Sequence, residues 1–226
     1  MATRAPLQIG EWYHCFNRGV DKRSIFEDSR DYERFLVHLY VSNGTRNIRI
    51  SSLPNTRLKE VVANQKIDRG ESLVEIGAYA LMPSHPHLLM RQVRENGIAL
   101  FMQKVFTGYT MYFNNKYTRT GSLFAGTFKS KHILDDLYLK RVLPYVLLNP
   151  VELFEPRWKN GVGFLPRIAK KLEDYPYTNL SNFLQKGNPH EKIATTDWSA
   201  YYEKIPTLKE MLQEAQAYYA ERNLAG

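Results

Sequence analysis

The chain has 226 residues and a formal net charge of +8 at pH 7, with 31 Lys and Arg against 23 Asp and Glu. This length suits one domain with additions, and a hydrophobic content of 43% is enough for a substantial core. The positive charge favours a polyanionic partner over an acidic protein or a neutral small molecule. Because Cys15 is the single cysteine, an intramolecular disulfide and a cysteine-based zinc cluster are excluded.

The same features predict where the protein works. A single thiol fits a reducing cytoplasm. The first residues, Met-Ala-Thr-Arg-Ala-Pro, lack the apolar run of a signal peptide. No stretch approaches the roughly 18 apolar residues of a membrane-spanning helix. We therefore expect a cytoplasmic protein that makes no membrane contact.

The first elements of the chain are predicted from hydrophobic periodicity. Residues 11–18 are rich in aromatic side chains and predict a strand. A helix should follow from Ser29 to about Tyr40, since its apolar residues recur at helical spacing. Residues 42–72 are polar and interrupted by Gly and Pro, which predicts a long connection with a short strand at 48–52.

The next elements complete a known order. They are, in chain order, strands over 73–81 and 85–92, a helix from 97 to about 114, a strand within 122–134 and a helix from 135 to 149. The order strand–helix–strand–strand–helix–strand is that of ferredoxin-like (RRM-like) folds. We therefore predict an α+β fold with an antiparallel sheet and helices on one face.

The last part of the chain has a different pattern. Residues 151–204 look irregular, and an amphipathic helix is predicted from Pro206 to about Arg222. We interpret 151–226 as a C-terminal helical extension that packs on, or flanks, a domain formed by residues 1–150.

A pair of histidines marks the first candidate site. His85 and His87 lie on the strand predicted over 85–92. Side chains alternate across a strand, so both rings point to one face, about 7 Å apart along it. Two converging imidazoles can hold one divalent metal. The alternative is that both are ordinary polar residues at a strand end.

A tyrosine and an asparagine mark the second candidate site. Tyr145 and Asn149 are four residues apart on a predicted helix and so share a face. A tyrosine hydroxyl can act as a nucleophile on phosphorus, and an asparagine carbonyl oxygen can bind a metal. With His85 and His87 they would make a three-ligand site for Mg²⁺ or Mn²⁺ beside a nucleophile. Alternatively, Tyr145 is a buried helix tyrosine and Asn149 marks a helix C-terminus.

These segments resemble a known family. Leu81 to Met90 is similar to the His-hydrophobic-His signature of single-tyrosine HUH transposases, and Val142 to Val151 is similar to their tyrosine helix, especially in REP-associated tyrosine transposases. The resemblance covers about residues 10–185. Further matching segments lie at 13–19, 112–117, 121–129 and 174–179.

The resemblance implies a reaction and a site. Tyr145 would attack a DNA phosphodiester, forming a 5′-phosphotyrosine link and releasing a 3′-hydroxyl. His85, His87 and Asn149 would coordinate the metal, and the substrate would be single-stranded DNA, often a hairpin. One departure is Pro86, which stands where a bulky residue is usual and predicts that its strand is an edge or carries a bulge.

Basic residues supply candidate DNA contacts. Seven Lys and Arg fall in residues 101–150. Our candidates for binding the DNA backbone are Lys104, Arg119, Lys129 and Lys131, with Arg18 and Arg23 near the first strand. The alternative for each is a solvated charged face. His14 lies on a strand that could neighbour the His85 strand, which suggests packing or support of a metal ligand.

Two other functions remain open at this point. The protein could be a nucleic-acid-binding regulator without cleavage activity, or a replication-type nickase that shares the two-histidine chemistry. The sequence also leaves open a monomer or a homodimer.

Overall fold

The sheet has the strand order predicted for a ferredoxin-like fold. The computed structural model describes residues 6–53, 57–158, 165–184 and 188–224. Its strands are β1 (Trp12–Phe16), β2 (Val74–Met82), β3 (His85–Gln92) and β4 (Lys129–Ile133). They form one sheet in the order β2-β3-β1-β4, with every neighbouring pair antiparallel. The predicted α+β class is confirmed.

Eight α-helices accompany the sheet within the described residues. They are α1 (Ser29–Ser42), α2 (Leu58–Ala63), α3 (Gly97–Lys116), α4 (Asp136–Leu147), α5 (Val151–Phe154), α6 (Leu165–Glu173), α7 (Ser181–Leu184) and α8 (Leu208–Leu224). Helix α1 begins at a capping box. The side chain of Asp28 accepts a hydrogen bond from the backbone N–H of Asp31, and the side chain of Asp31 accepts one from the backbone N–H of Asp28. None of the described helices has the length and hydrophobicity that a membrane crossing requires.

Strand alternation divides the core between the two faces of the sheet. From β1, Tyr13 and Cys15 point to one face, where they pack with α1 and α3. Trp12 points to the other face and packs with α4 and α8. Helices therefore cover both faces, so the prediction of helices on one face was incomplete. The helix that carries Tyr145 lies across the second face against β2 and β3.

Several predicted boundaries were wrong. The connection at 42–72 contains helix α2, where Leu58 and Val61 give a short apolar face that buries against the core. The strand predicted at 48–52 is instead a 3₁₀ turn at Ile50–Ser52. Part of 151–204 is helical, as α5, α6 and α7, although 159–164 and 185–187 lie outside the described residues.

Strand β3 is internal, so the prediction that Pro86 marks an edge was wrong. The ladder between β1 and β3 ends at the pair Phe16–His87, one residue before Pro86 is reached. Pro86 pairs only with Leu81 of β2, so the missing N–H costs nothing on the β1 side. The irregularity in the β2–β3 ladder lies elsewhere, between Ile76 and Ala78.

A C-terminal segment covers the outer edge of β2. The backbone N–H of Leu81 donates to the carbonyl of Tyr177 at 2.9 Å. The side chain of Asn179 donates to the carbonyl of Gly77 at 3.2 Å. A Cβ on Gly77 would lie 2.7 Å from the ring of Trp198, so a glycine is needed for this close approach. The edge strand is thereby shielded by residues that follow the predicted 1–150 domain.

Candidate active site

A cavity of about 990 Å³ opens on the second face of the sheet, beside α4 and α8. It is lined by His85, His87, Tyr145 and Asn149. His14, Arg18 and Lys129 line it as well. Residues that lie far apart along the chain therefore meet in one concave site.

The histidine pair is supported by neighbouring side chains. The rings of His85 and His87 lie 4.7 Å apart between centroids, at 72°. Nδ1 of His87 lies 2.9 Å from Nε2 of His14, and Nδ1 of His85 lies 3.0 Å from Oγ of Ser84. Because these contacts engage Nδ1 of each ring, Nε2 is the atom that each would present to a metal.

The local environment sets the charge of His85. Burial, and then the nearby positive charge of Arg18, lower the pKa of His85 to about 4, although Glu152 acts in the opposite direction. The ring is therefore neutral at pH 7. A neutral imidazole is the form that binds a metal.

Tyr145 lies between the histidines and helix α8. Its ring makes edge contacts with His14 and His87, at centroid distances of 5.5 and 5.8 Å. On its other side it packs against Tyr218 and Tyr219, at 4.6 and 5.0 Å. Only 5% of Tyr145 is exposed. The residue is thus buried, as the simpler alternative held, and it also lines the cavity.

The amide of Asn149 has a defined orientation. Its Nδ2 donates to the carbonyl of Tyr145 at 2.6 Å, and its Oδ1 accepts from the hydroxyl of Tyr219 at 3.4 Å. Helix α4 ends at Leu147, yet the four-residue spacing of Tyr145 and Asn149 still brings them together through this bond.

The proposed donors are of two kinds, imidazole nitrogen and amide oxygen, and the two kinds differ in the metals they prefer. Among the described residues, no group of three or more His, Cys, Asp or Glu side chains could hold a metal. The amide oxygen of Asn149, which lines the same cavity as His85 and His87, is the third ligand predicted from the sequence. The amide oxygen is a donor that Mg²⁺ and Mn²⁺ prefer, whereas imidazole nitrogens are more typical ligands of Zn²⁺, Fe²⁺, Ni²⁺ and Cu²⁺.

Two predicted DNA-binding residues are engaged away from the cavity. Lys104 lies on α3 and donates from Nζ to the carbonyls of Gly44 at 2.6 Å and Arg46 at 2.8 Å. Arg119 donates to Oδ1 of Asn114 at 2.6 Å. Neither lines the cavity, and a role in DNA binding remains a prediction for both.

Two more lie against aromatic rings. Nζ of Lys131 is 5.0 Å from the ring centre of Tyr138 and 5.8 Å from that of Tyr218. The guanidinium of Arg23 is 5.7 Å from the ring centre of Phe113. Such cation–π contacts position the side chains but leave their charge in place. Their DNA contacts also remain predictions.

Lys22, Glu152 and Tyr219 are among the cavity residues that were not predicted from the sequence. Glu152 follows Tyr145 by seven residues and so continues the helical face of Tyr145 and Asn149, a signal that was available in the sequence. Tyr219 comes from α8, and nothing in its local sequence connects it to this site. Lys22 stands out only by its charge.

Comparisons with known proteins add one likeness. No family model and no curated protein matches the chain. Its fold is similar to a solved structure described as a REP-associated tyrosine transposase bound to a REP hairpin. The TM-score is 0.46 at 15% identity, and the alignment covers 91% of this chain and 99% of that one. Such values do not place individual side chains of this protein.

Proposed function

We propose that this protein is a metal-dependent enzyme that nicks and rejoins single-stranded DNA with Tyr145 as its nucleophile. The observation that carries the proposal is the edge contact of Tyr145 with both His14 and His87, in the cavity that also contains His85 and Asn149. A phenol beside a set of metal-binding donors is the minimum requirement for metal-assisted attack on phosphorus.

The metal would be held by His85, His87 and Asn149. A bound Mg²⁺ or Mn²⁺ would polarise a phosphate oxygen and stabilise the charge that develops on it. His14 holds His87 by a contact of 2.9 Å, and Tyr219 holds Asn149 by a contact of 3.4 Å. Both contacts restrict the orientation of a metal-binding side chain before DNA arrives.

The nucleophile would exchange one phosphodiester for another. The Tyr145 hydroxyl loses its proton and its oxygen bonds to phosphorus, while the bond from phosphorus to the 3′-oxygen breaks. The 3′-oxygen takes up a proton and leaves as a hydroxyl, and the 5′-phosphate stays on the tyrosine. Attack by a 3′-hydroxyl on this phosphotyrosine reverses the step and joins two DNA ends.

The substrate proposed is single-stranded or hairpin DNA in the cytoplasm. Arg18 and Lys129 line the cavity and are exposed, so they can neutralise the backbone beside the attacked bond. A single-stranded segment suits a cavity of about 990 Å³, because its phosphates can approach without a paired strand.

The test is the formation of a covalent adduct. We expect the protein, incubated with Mn²⁺ and a labelled hairpin oligonucleotide with single-stranded flanks, to give a labelled band that survives denaturing electrophoresis. Tyr145→Phe should lose this band. Tyr138→Phe, on the same helix but outside the cavity, is the matched control and should retain it. An adduct that persists in Tyr145→Phe would contradict the assignment of the nucleophile.

One observation favours a second function, that of a nucleic-acid-binding regulator without cleavage activity. Tyr145 is only 5% exposed and is packed by Tyr218 and Tyr219, which restricts access to its hydroxyl. Two measurements distinguish these functions. If the protein is an enzyme, His85→Ala should abolish adduct formation and leave DNA affinity unchanged. If it is a regulator, the parent protein should bind hairpins tightly and nick none of them with any divalent ion.

A further inference from the structure

Two consecutive residues at the rim of the cavity have a left-handed backbone. Asp21 and Lys22 have φ angles of 54° and 59°. Aspartate is one of the residues that adopt this conformation occasionally, but lysine adopts it rarely, so Lys22 is the unusual member of the pair. Strained backbone of this kind is found where surrounding structure holds it in place, often at functional sites.

The surrounding structure does hold this loop. The N–H of Gly19 donates to the carbonyl of Ser84 at 2.9 Å, and the N–H of Val20 donates to the carbonyl of Leu123 at 3.0 Å. The first of these bonds reaches the turn directly before His85. The loop is thus tied to the histidine strand, and Lys22 becomes part of the cavity lining.

Lys22 adds a third cation to the cavity. Arg18, Lys22 and Lys129 all line it, and in the described part of the chain no carboxylate forms an ion pair with any of them. Two carboxylates, Asp21 and Glu152, line the same cavity. Three cations that line one cavity suit an anionic ligand.

We propose that Lys22 is a phosphate-binding residue, held by its strained backbone so that its ammonium contacts the backbone of the DNA strand beside the attacked phosphodiester. This inference rests on the proposed function, since it takes the substrate from it. Lys22 would act together with Arg18 and Lys129. The protein would tolerate the unfavourable left-handed conformation of Lys22 because this conformation directs the side chain into the cavity.

The charge of Lys22 is tested by DNA binding at several salt concentrations. Lys22→Gln should weaken binding of a single-stranded oligonucleotide about tenfold at low salt. It should also reduce the slope of log affinity against log salt by about 0.7, the value for one phosphate contact on a single strand. Lys22→Arg should behave as the parent protein. Lys59→Gln, on the exposed side of α2, is the matched control and should change neither quantity.

The backbone conformation of Lys22 is tested by Lys22→Gly. Glycine adopts a positive φ without strain, so the melting temperature should rise by about 2 °C. The rate of adduct formation should fall as in Lys22→Gln. A merely structural residue would not show opposite changes in stability and activity. Full activity in both Lys22→Gly and Lys22→Gln would overturn the proposal, as would a salt slope equal to that of the parent.

This outcome can be separated from a failure of the proposed function. If the parent protein forms no adduct with any divalent ion, the enzyme proposal fails, and the salt slopes still decide whether Lys22 contacts a phosphate. If the parent forms the adduct and Lys22→Gln forms it at the same rate with the same slope, only the assignment of Lys22 fails.

Discussion

Nε2 of His14 lies 2.9 Å from Nδ1 of His87, and the two rings stack 5.1 Å apart at 17°. One nitrogen of this pair must donate and the other accept, so the contact couples the tautomers of the two rings. It joins neighbouring strands, β1 and β3, through a diagonal pair of side chains. His14 thereby orients a candidate metal ligand that it does not itself replace.

This contact predicts that His14 controls metal affinity. His14→Leu should keep a side chain packed against the ring of Tyr145 but remove the hydrogen bond to His87. We expect Mn²⁺ affinity, measured without DNA by electron paramagnetic resonance, to fall about 10- to 100-fold. His132→Gln, which alters a surface pair with Glu11, should leave it unchanged. Equal Mn²⁺ binding in His14→Leu and the parent would show that His87 needs no such support.

Tyr219 should make a smaller contribution through Asn149. Tyr219→Phe keeps the ring beside Tyr145 and removes only the hydroxyl that lies 3.4 Å from Oδ1 of Asn149. Because this bond is long, we expect the Mn²⁺ concentration for half-maximal adduct formation to rise about threefold. DNA affinity should not change. A change in DNA affinity with a constant Mn²⁺ requirement would instead indicate that Tyr219 contacts the strand.

A buried histidine in the other half of the core predicts loss of stability in acid. Burial, together with the charge of Arg34, lowers the pKa of His38 from 6.5 to about 3, and its Nε2 has no hydrogen-bond partner among the described residues. The unfolded chain binds a proton near pH 6.5, whereas the folded chain does so only near pH 3. Stability from this residue is therefore complete above pH 6.5 and falls as the pH decreases towards 3.

The measurement is urea unfolding of the parent and His38→Leu at pH 7.5 and 4.5. Per pH unit below 6.5, the parent should lose about 1.4 kcal/mol more than a chain without this group. The leucine variant should show a flatter dependence. Asp28 should not contribute to the difference between pH 7.5 and 4.5. A hydrogen bond from Lys116 lowers the pKa of Asp28 in the folded protein to about 2, so this carboxyl titrates in more acidic solution. Parallel pH profiles for the two proteins would contradict the prediction.

Lys104 should affect stability more than DNA binding. Its ammonium donates to the carbonyls of Gly44 and Arg46, and burial lowers its pKa. Lys104→Met removes a charged donor from two carbonyls and should reduce the free energy of unfolding by about 1–3 kcal/mol. The salt slope of DNA binding should stay unchanged, while Lys129→Gln should flatten it. A flatter salt slope in Lys104→Met would instead support the prediction from the sequence that Lys104 contacts DNA.

The sequence predicted the candidate site where the pattern was local. His85 and His87 share a face because strands alternate, and Tyr145 and Asn149 approach because helices repeat. The contact of His14 with His87 depends on the register between strands 73 residues apart in sequence. Only the possibility of neighbouring strands could be inferred for it. Tyr219 depends on how α8 docks, which no periodicity encodes.

The fold was predicted to a similar extent. The strand order followed from the sequence of elements, since a right-handed crossover leaves few arrangements for four strands. The second helical layer did not follow, because the amphipathic pattern of α4 does not state which face of the sheet it covers. Helix α2 was missed because six residues, Leu58–Ala63, give too few turns for a periodic signal.

The covered edge of β2 has a consequence for any shortened version of the chain. Strand β2 ends the sheet, and its outer backbone groups are bonded by Tyr177, Asn179 and Thr195. Removing everything from Tyr177 onward would leave a nine-residue strand, Val74–Met82, with open hydrogen-bonding positions and a mostly apolar sequence. Such an edge can recruit the same strand of another molecule and form aggregates, so the later residues act as a guard against self-association.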